Sequence, residues 1–207
     1  MKVDQPLLMA DLNEIYELPD EDEFEHALMD TMYLAHEDLH GKEFHGCVLR
    51  KVDLSGADLR RAAFVDVVLE QCDLSGCHME DAVFQRVRFS GCRMTGADLI
   101  HAVVRNTVFE DCRMDYLNMG RIKTERVQLV RCLLREADLE ECAFRLTEFD
   151  ECDFTRATVH MTNMKDLDMR TCRLDQMTIG LQDVRGMIVT TEQAIGLSQL
   201  MGIVIKE

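Results

Sequence analysis

The sequence predicts an all-β solenoid, and three patterns support that prediction. From Phe44 to Val184 every fifth residue is apolar, with the single exception of Thr124. The residue two positions before each of these apolar centres is usually small or compact, and all nine cysteines lie on that second track. Some of the cysteines also recur at intervals of 20 residues, namely Cys72, Cys92, Cys112, Cys132, Cys152 and Cys172.

These periods exclude the common alternatives. A helix places apolar residues at intervals of three and four, so it does not explain a period of five. A simple strand alternates with a period of two, and because five is odd, it does not explain this period either. Four five-residue units per turn of a square coil explain both periods, because each side then buries one apolar centre and one small residue against the neighbouring coils. From Leu34 to about Gly186 this gives roughly seven coils and a height of roughly 35 Å at about 4.8 Å per coil.

The interior of the coil is expected to contain the large apolar centres and the stacked thiols. The expected core comprises Phe44, Phe64, Phe84, Phe89, Phe109, Phe144, Phe149 and Phe154 with Cys72, Cys92, Cys112, Cys132, Cys152 and Cys172.

Stacked cysteines could also bind metal or form disulfides. Metal sites usually contain short C-x2-4-C pairs, often with histidine, whereas the closest pair in this chain, Cys72 and Cys77, faces different sides of the coil. We therefore favour packed thiols and expect no metal and no cofactor. An odd number of buried thiols is typical of a cytoplasmic protein.

Residues 1–32 form an acidic N-terminal segment that does not read as repeats and that we expect to cap the solenoid. Asp20 and Glu23 could open a helix that runs to about Met32. Phe24 and Met29 also lie in the five-residue frame, so a partial extra turn is the alternative.

Several of the repeat units match a known sequence motif. Ala57-Asp58-Leu59, Ala97-Asp98-Leu99 and Ala137-Asp138-Leu139 follow the pattern A(D/N)Lxx. In residues 33–186 the chain therefore resembles the pentapeptide-repeat family, and the resemblance implies that family's right-handed quadrilateral β-helix.

Residues 187–207 leave the five-residue pattern. Thr190 with Gln193 fits a capping box that opens a helix, Gly202 can end it, and Ile203–Ile205 reads as a short strand. A self-contained cap is one interpretation. We favour a homodimer contact, because a helix and apolar strand after the last repeat resemble the dimer-forming C-termini of quinolone-resistance (Qnr-type) and mycobacterial fluoroquinolone-resistance pentapeptide proteins. The expected contact residues are Ala194, Leu197, Leu200, Met201, Ile203, Val204 and Ile205.

The net charge of −16 is unevenly distributed along the chain. Residues 1–41 carry one Lys against 12 Asp and Glu, whereas residues 42–186 carry 21 Lys and Arg against 25 Asp and Glu. Sorted by side of the coil, the outward acids form two columns that are candidates for binding a partner. The first column contains Asp58, Glu80, Asp81, Asp98, Asp138, Glu140 and Glu141, and the second contains Glu110, Asp111, Glu148, Asp150 and Glu151.

The columns allow two interpretations: solvated charges that keep the protein soluble, or a surface that imitates nucleic acid and occupies a basic channel. The aspartate before each Leu can also hydrogen-bond the local backbone. The resemblance implies a DNA mimic that binds DNA gyrase or topoisomerase IV and protects it from fluoroquinolones. A general interaction scaffold, or protection against a different gyrase poison, is the alternative.

Other function classes find little support in the sequence. It contains no P-loop, no G-x-S-x-G motif and no metal-ligand spacing, so we expect a protein that is not an enzyme. We also expect no direct binding to nucleic acid, and no membrane association, since no run approaches the roughly 18 apolar residues of a membrane span.

Overall fold

The computed structural model describes residues 1–206 and confirms the predicted all-β solenoid, with about 8 turns where the sequence indicated roughly seven. Thirteen short parallel strands are followed by one α-helix and a 3-10 turn. The strands are β1 Asn13–Ile15, β2 Glu23–Glu25, β3 Ala27–Asp30, β4 Glu43–His45, β5 Val48–Arg50, β6 Ala63–Glu70, β7 Val83–Ser90, β8 Val103–Glu110, β9 Lys123–Val130, β10 Asp138–Glu140, β11 Ala143–Asp150, β12 Thr158–His160 and β13 Thr178–Ile179. Helix α1 covers Thr191–Leu197, and the 3-10 turn covers Ser198–Met201.

From β2 onward the register between coils in the main sheet is 20 residues, whereas β1 pairs with β3 at an offset of 14, as in Asn13 with Ala27. Phe64 pairs with Phe84 and Leu69 with Phe89, and the same offset continues through β8, β9 and β11. A second sheet of three strands joins β10, β12 and β13. Because each coil pairs with the next in the same register, equivalent residues form straight columns along the axis.

We name the four faces of the solenoid by the apolar centres that they bury. Face A is centred on Phe64 and Phe84, face B on Leu69 and Phe109, face C on Leu54 and Leu74, and face D on Leu59 and Leu99. The eight-residue strands β6, β7, β8, β9 and β11 each cross faces A and B. Face C and most of face D are held by isolated parallel bridges, such as Asp53 with Asp73 and Asp58 with His78.

The interior is filled by stacked side chains. Phe44, Phe64 and Phe84 stack with ring centroids 4.8 and 5.1 Å apart, close to the spacing of the coils. Of the expected core residues, Phe144 alone is only partly buried, whereas the other phenylalanines and the six stacked cysteines are buried.

The buried thiols have backbone partners. The Cys72 Sγ–H donates to the carbonyl of Leu49 at 3.3 Å, and Cys77 donates in the same way to Leu54 at 2.8 Å. Burial raises the pKa of Cys77 to about 12. All nine cysteines are free thiols. This arrangement is that of inert structural thiols, since a reactive cysteine needs an exposed thiolate.

Thr124, the exception in the apolar track, continues the register without a break. It is 5% exposed, and its hydroxyl forms a 2.6 Å hydrogen bond with the hydroxyl of Thr147. The strand that contains it, β9, pairs with both neighbours in the 20-residue register. A hydrogen bond between two hydroxyl groups therefore replaces an apolar contact: Thr147 donates to the Arg145 carbonyl at 3.5 Å, and Thr124 donates to Thr147.

Each corner of the coil requires a left-handed backbone. The residue two positions after an apolar centre takes φ between 47° and 64° in 24 non-glycine residues, and Gly41, Gly56 and Gly96 lie on the same track. The left-handed region costs a non-glycine residue roughly 1–2 kcal/mol. Backbone hydrogen bonds between coils hold the corners in this conformation.

The N-terminal segment contains strands, so of the two alternatives the partial extra turn forms and the helix from Asp20 to Met32 is wrong. Strands β2 and β3 occupy that region, Phe24 stacks on Phe44 at 4.9 Å, and Met29 is fully buried. The first coil therefore begins before the predicted boundary at residue 33. Strand β1 adds one more rung by pairing with β3, so it covers that strand's edge.

The C-terminal segment differs from the prediction at its end. Thr190 and Gln193 form the capping box, and Gly202 ends the 3-10 turn with φ 70°. The predicted strand at Ile203–Ile205 does not form. The left-handed Gly202 turns the chain, and a strand needs a neighbouring strand to satisfy its backbone, which a single chain does not provide at this place.

We predict that Phe84→Ala lowers the free energy of unfolding by about 3–5 kcal/mol, because the ring is 1% exposed and lies in the aromatic stack. Phe144→Ala is the matched control and should cost clearly less, since Phe144 is already partly exposed. Denaturant unfolding of both variants measures the difference. Equal losses would contradict the stacked core as described.

Candidate functional site

The first acidic column lies on face D and continues across the coils in register. Asp58 bridges to His78, His78 to Asp98, Asp98 to Asn118, and Asn118 to Asp138. Equivalent positions are one coil apart, about 4.8 Å. The column therefore alternates aspartates with His78 and Asn118 rather than presenting an uninterrupted row of carboxylates.

Some of these acids have structural roles. The Asp58 carboxylate accepts the backbone N–H of Arg60 at 3.1 Å, and Asp98 accepts that of Ile100 at 3.0 Å. Asp53 and Asp73 on face C bond Ser55 and Ser75 in the same way. The aspartate of the repeat motif thus caps the corner that follows it, as an Asx turn does.

The remaining acids of the first column divide into paired and unpaired. Glu141 forms an ion pair with Arg121 at 2.9 Å, and Glu80 lies 3.8 Å from His78. Asp81, Asp138 and Glu140 are exposed, and within residues 1–206 none of the three lies within ion-pair distance of a basic group. These three are the exposed acids of the first column that form no ion pair.

The second acidic column lies on face B and is largely neutralised. Arg131 binds Glu110 at 2.9 Å and Asp111 at 2.7 Å, and Arg88 binds Glu110 from the other side at 2.7 Å. The pKa of the Glu110 carboxyl is lowered, first by its hydrogen bond to Arg131 and then by that to Arg88.

Higher on face B, Glu148 is bound by the amino group of Met1 at 2.7 Å and by Gln128 at 2.7 Å. Asp150 and Glu151 complete the column, and the described part of the chain gives neither of them an ion pair. The structure therefore brings the second column together in space but leaves it with less free charge than face D.

Ion pairs between residues 20 apart were not predicted. Arg86 binds Asp66 at 2.6 Å, and Arg135 binds Asp115 at 2.8 Å, each on the adjacent coil. Arg50 lies between two acids, Asp30 at 3.3 Å and Glu70 at 3.0 Å. These ion pairs could have been predicted from the sequence, because oppositely charged residues occur 20 positions apart.

The acidic side chains that pair locally stay ionised at low pH. The hydrogen bonds from Arg60, together with its charge, lower the pKa of Asp58 to about 2 in spite of partial burial. Arg170 does the same for Asp168, whose pKa is also about 2.

The C-terminal apolar residues divide between two surfaces. Leu197 and Leu200 are partly buried and pack against the interior core, so they close the last coil. The Gln193 side chain donates to the carbonyls of Met169 and Cys172, both at 2.8 Å, which satisfies backbone groups at the open end. Facing solvent are Ile195, Met201, Ile203, Val204 and Ile205, which are 47–77% exposed, and Ala194 is exposed with them.

The described residues contain no group of three or more His, Cys, Asp and Glu side chains placed to hold a metal ion. Nor does any helix in residues 1–206 have the length and apolar character needed to cross a membrane.

Two family profiles match the chain. The one described as "Pentapeptide repeat region" matches residues 62–139, and the one described as "Pentapeptide repeats (8 copies)" matches residues 33–64 and 132–170. The chain belongs to the pentapeptide-repeat family. A search of curated proteins finds no match.

Several solved structures align with this chain, and the pentapeptide-repeat protein HetL shares its fold. HetL, a protein involved in the regulation of heterocyst differentiation in the cyanobacterium Nostoc sp. strain PCC 7120, aligns with a TM-score of 0.55 at 16% identity over 80% of this chain and 84% of its own. A thylakoid-lumen protein of Arabidopsis thaliana aligns with a TM-score of 0.44 at 24% identity over 45% of this chain and 66% of its own. QnrB1, a plasmid-mediated fluoroquinolone resistance protein, aligns with a TM-score of 0.39 at 20% identity over 89% of this chain and 92% of its own.

The Asp58–Arg60 pair should make stability depend on pH at the acid end. Because the folded pKa of Asp58 is about 2, below its ordinary 3.8, the stabilisation is complete above about pH 4 and is lost as the pH falls through 2. We predict that Asp58→Asn, which keeps an oxygen for the Arg60 N–H, is less stable than the parent by up to about 1 kcal/mol at pH 6. The difference should vanish between pH 4 and pH 2 in urea unfolding. A difference that does not change with pH would contradict the assignment.

Proposed function

We propose that this pentapeptide-repeat protein is a DNA mimic that binds a type II topoisomerase, DNA gyrase or topoisomerase IV, and protects that enzyme from fluoroquinolones. The observation that carries the proposal is the set of exposed, unpaired acids on face D, Asp81, Asp138 and Glu140, which a rigid rod holds in fixed positions. Such a rod of about 8 turns is roughly 38 Å tall, which is comparable to one helical turn of B-DNA at about 34 Å.

The charge density sets the form that this mimicry takes. B-DNA carries about one charge per 1.7 Å of axis, so roughly 20 phosphates lie along the height of the solenoid. Face D offers far fewer free acids, because Arg60 and Arg121 neutralise two of them. The proposed mimic is therefore a charged patch on a rod of suitable shape, which enters a basic channel through complementary potential.

The interaction surface does not require a catalytic site. The thiols are buried and bonded to backbone carbonyls, and several of the outward acids cap corners or pair with arginine, while others are free at the surface. These groups serve recognition and stability, and the proposed protein acts by occupying a surface. Its partner works on the chromosome, so the proposal places the protein in the cytoplasm.

A general interaction scaffold is the second candidate. HetL, whose fold is shared, is described as involved in a regulatory process, and a rigid rod with distinct faces can serve many partners. Competition separates the two candidates. A topoisomerase mimic is displaced by duplex DNA, whereas a scaffold for an unrelated protein is indifferent to it.

We predict that the triple variant Asp81→Lys, Asp138→Lys and Glu140→Lys weakens binding to gyrase or topoisomerase IV at least tenfold, because these exposed, unpaired acids become repulsive in a basic channel. Surface plasmon resonance at two salt concentrations measures the effect, and circular dichroism checks the fold.

The matched control is Glu17→Lys, Glu37→Lys and Asp166→Lys, which makes the same change in net charge outside the two columns. This control should lose much less affinity. If both triple variants bind equally, face D is only a solvated surface and the proposed role of the column fails.

The proposal includes a homodimer through the C-terminal segment. A short apolar stretch near the C-terminus is exposed to solvent in the single chain. It comprises Met201, Ile203, Val204 and Ile205. A second copy that presents the same stretch across a two-fold axis buries both, and it also gives Ile203–Ile205 the neighbouring strand that the single chain lacks.

We predict that Val204→Asp, at a side chain that is 77% exposed, converts the dimer to a monomer without lowering the stability of the solenoid. Leu200→Asp is the contrasting variant and should destabilise the last coil, since Leu200 packs against the core. Sedimentation equilibrium and thermal unfolding provide the two measurements. A Val204→Asp protein that still sediments as a dimer would exclude this contact.

A further inference from the structure

Residues 1–7, which we call the strap, lie along the outside of the solenoid. The Leu7 N–H donates to the Asp66 carboxylate at 2.9 Å, and the Met1 carbonyl accepts from the Gln128 side chain at 3.3 Å. These two anchors are about three coils apart, roughly 15 Å at about 4.8 Å per coil. Six extended residues span about 20 Å, so the strap runs nearly straight along the axis, across the strands.

The surface between the two anchors is partly apolar. Val3 is 6% exposed although it does not belong to the interior core, so the outer surface of the solenoid buries it. Val68 and Val108 are outward residues of β6 and β8 on face B, and both are partly buried. The strap therefore covers a strip of outer surface along the corner of faces A and B, and we call this strip the groove.

One buried group in this region has no partner. Asn106 is at an outward corner on a coil between the two anchors, yet it is 7% exposed, and its side-chain oxygen accepts no hydrogen bond. A buried acceptor without a donor is costly. Asn106 lies on the coils that the strap spans, so an occupant of the groove that offers an N–H at this place would satisfy this acceptor.

We infer that the groove beneath the strap binds an extended peptide segment of a partner protein, and that the strap occupies this groove in the same chain. The occupant donates a backbone N–H to Asp66, places a small β-branched side chain where Val3 lies, and donates an N–H to Asn106. This site is distinct from the acids of face D, and it does not depend on the topoisomerase proposal.

Occupation by the strap makes the groove selective. A segment of the same chain competes at an effective concentration on the order of mM, so only a peptide that makes better contacts displaces it. The strap is also the one described segment that joins coils that are not neighbours, since the coils themselves pair only with the next coil. Displacement of the strap therefore frees the groove without breaking the solenoid.

The experiment uses the full-length chain and a fluorescent peptide of residues 1–9, labelled at its C-terminal end. Val3→Asp should release the strap, because a carboxylate cannot remain in the buried site. Leu8→Asp is the matched control, since that side chain is 40% exposed. We expect the peptide to bind the Val3→Asp chain at least tenfold more tightly than the parent or the control, as measured by fluorescence anisotropy.

Asp66→Asn in the Val3→Asp chain should then weaken peptide binding at least fivefold, whereas Asp81→Asn, at a corner with similar backbone on face D, should not. Hydrogen exchange at the Leu7 amide reports strap release independently. A Val3→Asp chain that exposes this amide but binds no peptide would overturn the inference, as would an amide that stays fully protected. Two copies of the chain could also exchange straps, and measuring the mass of the complex during the titration distinguishes such a dimer from a chain with bound peptide. If strap-exchanged dimers form and the peptide does not bind, the assignment of the groove to a partner protein is also overturned.

Discussion

Backbone hydrogen bonds between residues of adjacent coils are the interaction on which the rest of the structure depends. The Asp53 N–H bonds the Met32 carbonyl at 2.9 Å, and the Leu54 N–H bonds the Asp73 carbonyl at 2.7 Å, so each residue joins the coil below or the coil above. These bonds fix a 20-residue register, which stacks phenylalanine on phenylalanine and thiol on thiol. They also hold 24 non-glycine corner residues in the left-handed region, a conformation that the isolated chain would avoid. Packing, corners and surface columns all follow from that register.

The same register decides what the surface can do. A charge on one coil always faces the residue 20 positions away, so an arginine such as Arg86 or Arg131 neutralises an acid on the adjacent coil. Asp138 and Glu140 on face D stay free because no arginine lies 20 residues from either, whereas Asp81 stays unpaired although Arg61 is at that offset. An acidic net charge alone would have suggested uniform negative faces. The structure instead presents a rod with one weakly compensated acidic face, face D, and one largely neutralised face, face B, along whose edge the strap runs.

The repeat was predictable from the sequence because its five-residue period is local and strict. The columns of acids were predictable from the same period, since residues 20 positions apart lie on the same side of the coil. The helix predicted after Asp20 was wrong because a capping pattern in a short segment was outweighed by two apolar residues in the five-residue frame, Phe24 and Met29, which dock on the next coil. The strand at Ile203–Ile205 failed for lack of a partner strand. The strap was not predictable, because its anchors lie 59 and 127 residues away in sequence and no periodicity links them. The charge pairs and the glycine track at the corners were readable from the 20- and five-residue offsets.

Supercoiling by DNA gyrase in the presence of a fluoroquinolone, across a titration of this protein, tests the topoisomerase proposal most directly. The account predicts that supercoiling is restored when the protein is at or below a concentration equal to that of gyrase, because the acidic rod competes for the DNA-binding channel at the drug-stabilised complex. If the protein inhibits supercoiling and does not restore it in the presence of the drug, DNA mimicry is supported and protection from the fluoroquinolone is excluded. No effect on supercoiling at any concentration, with or without the drug, would contradict the proposal and favour an unrelated interaction scaffold.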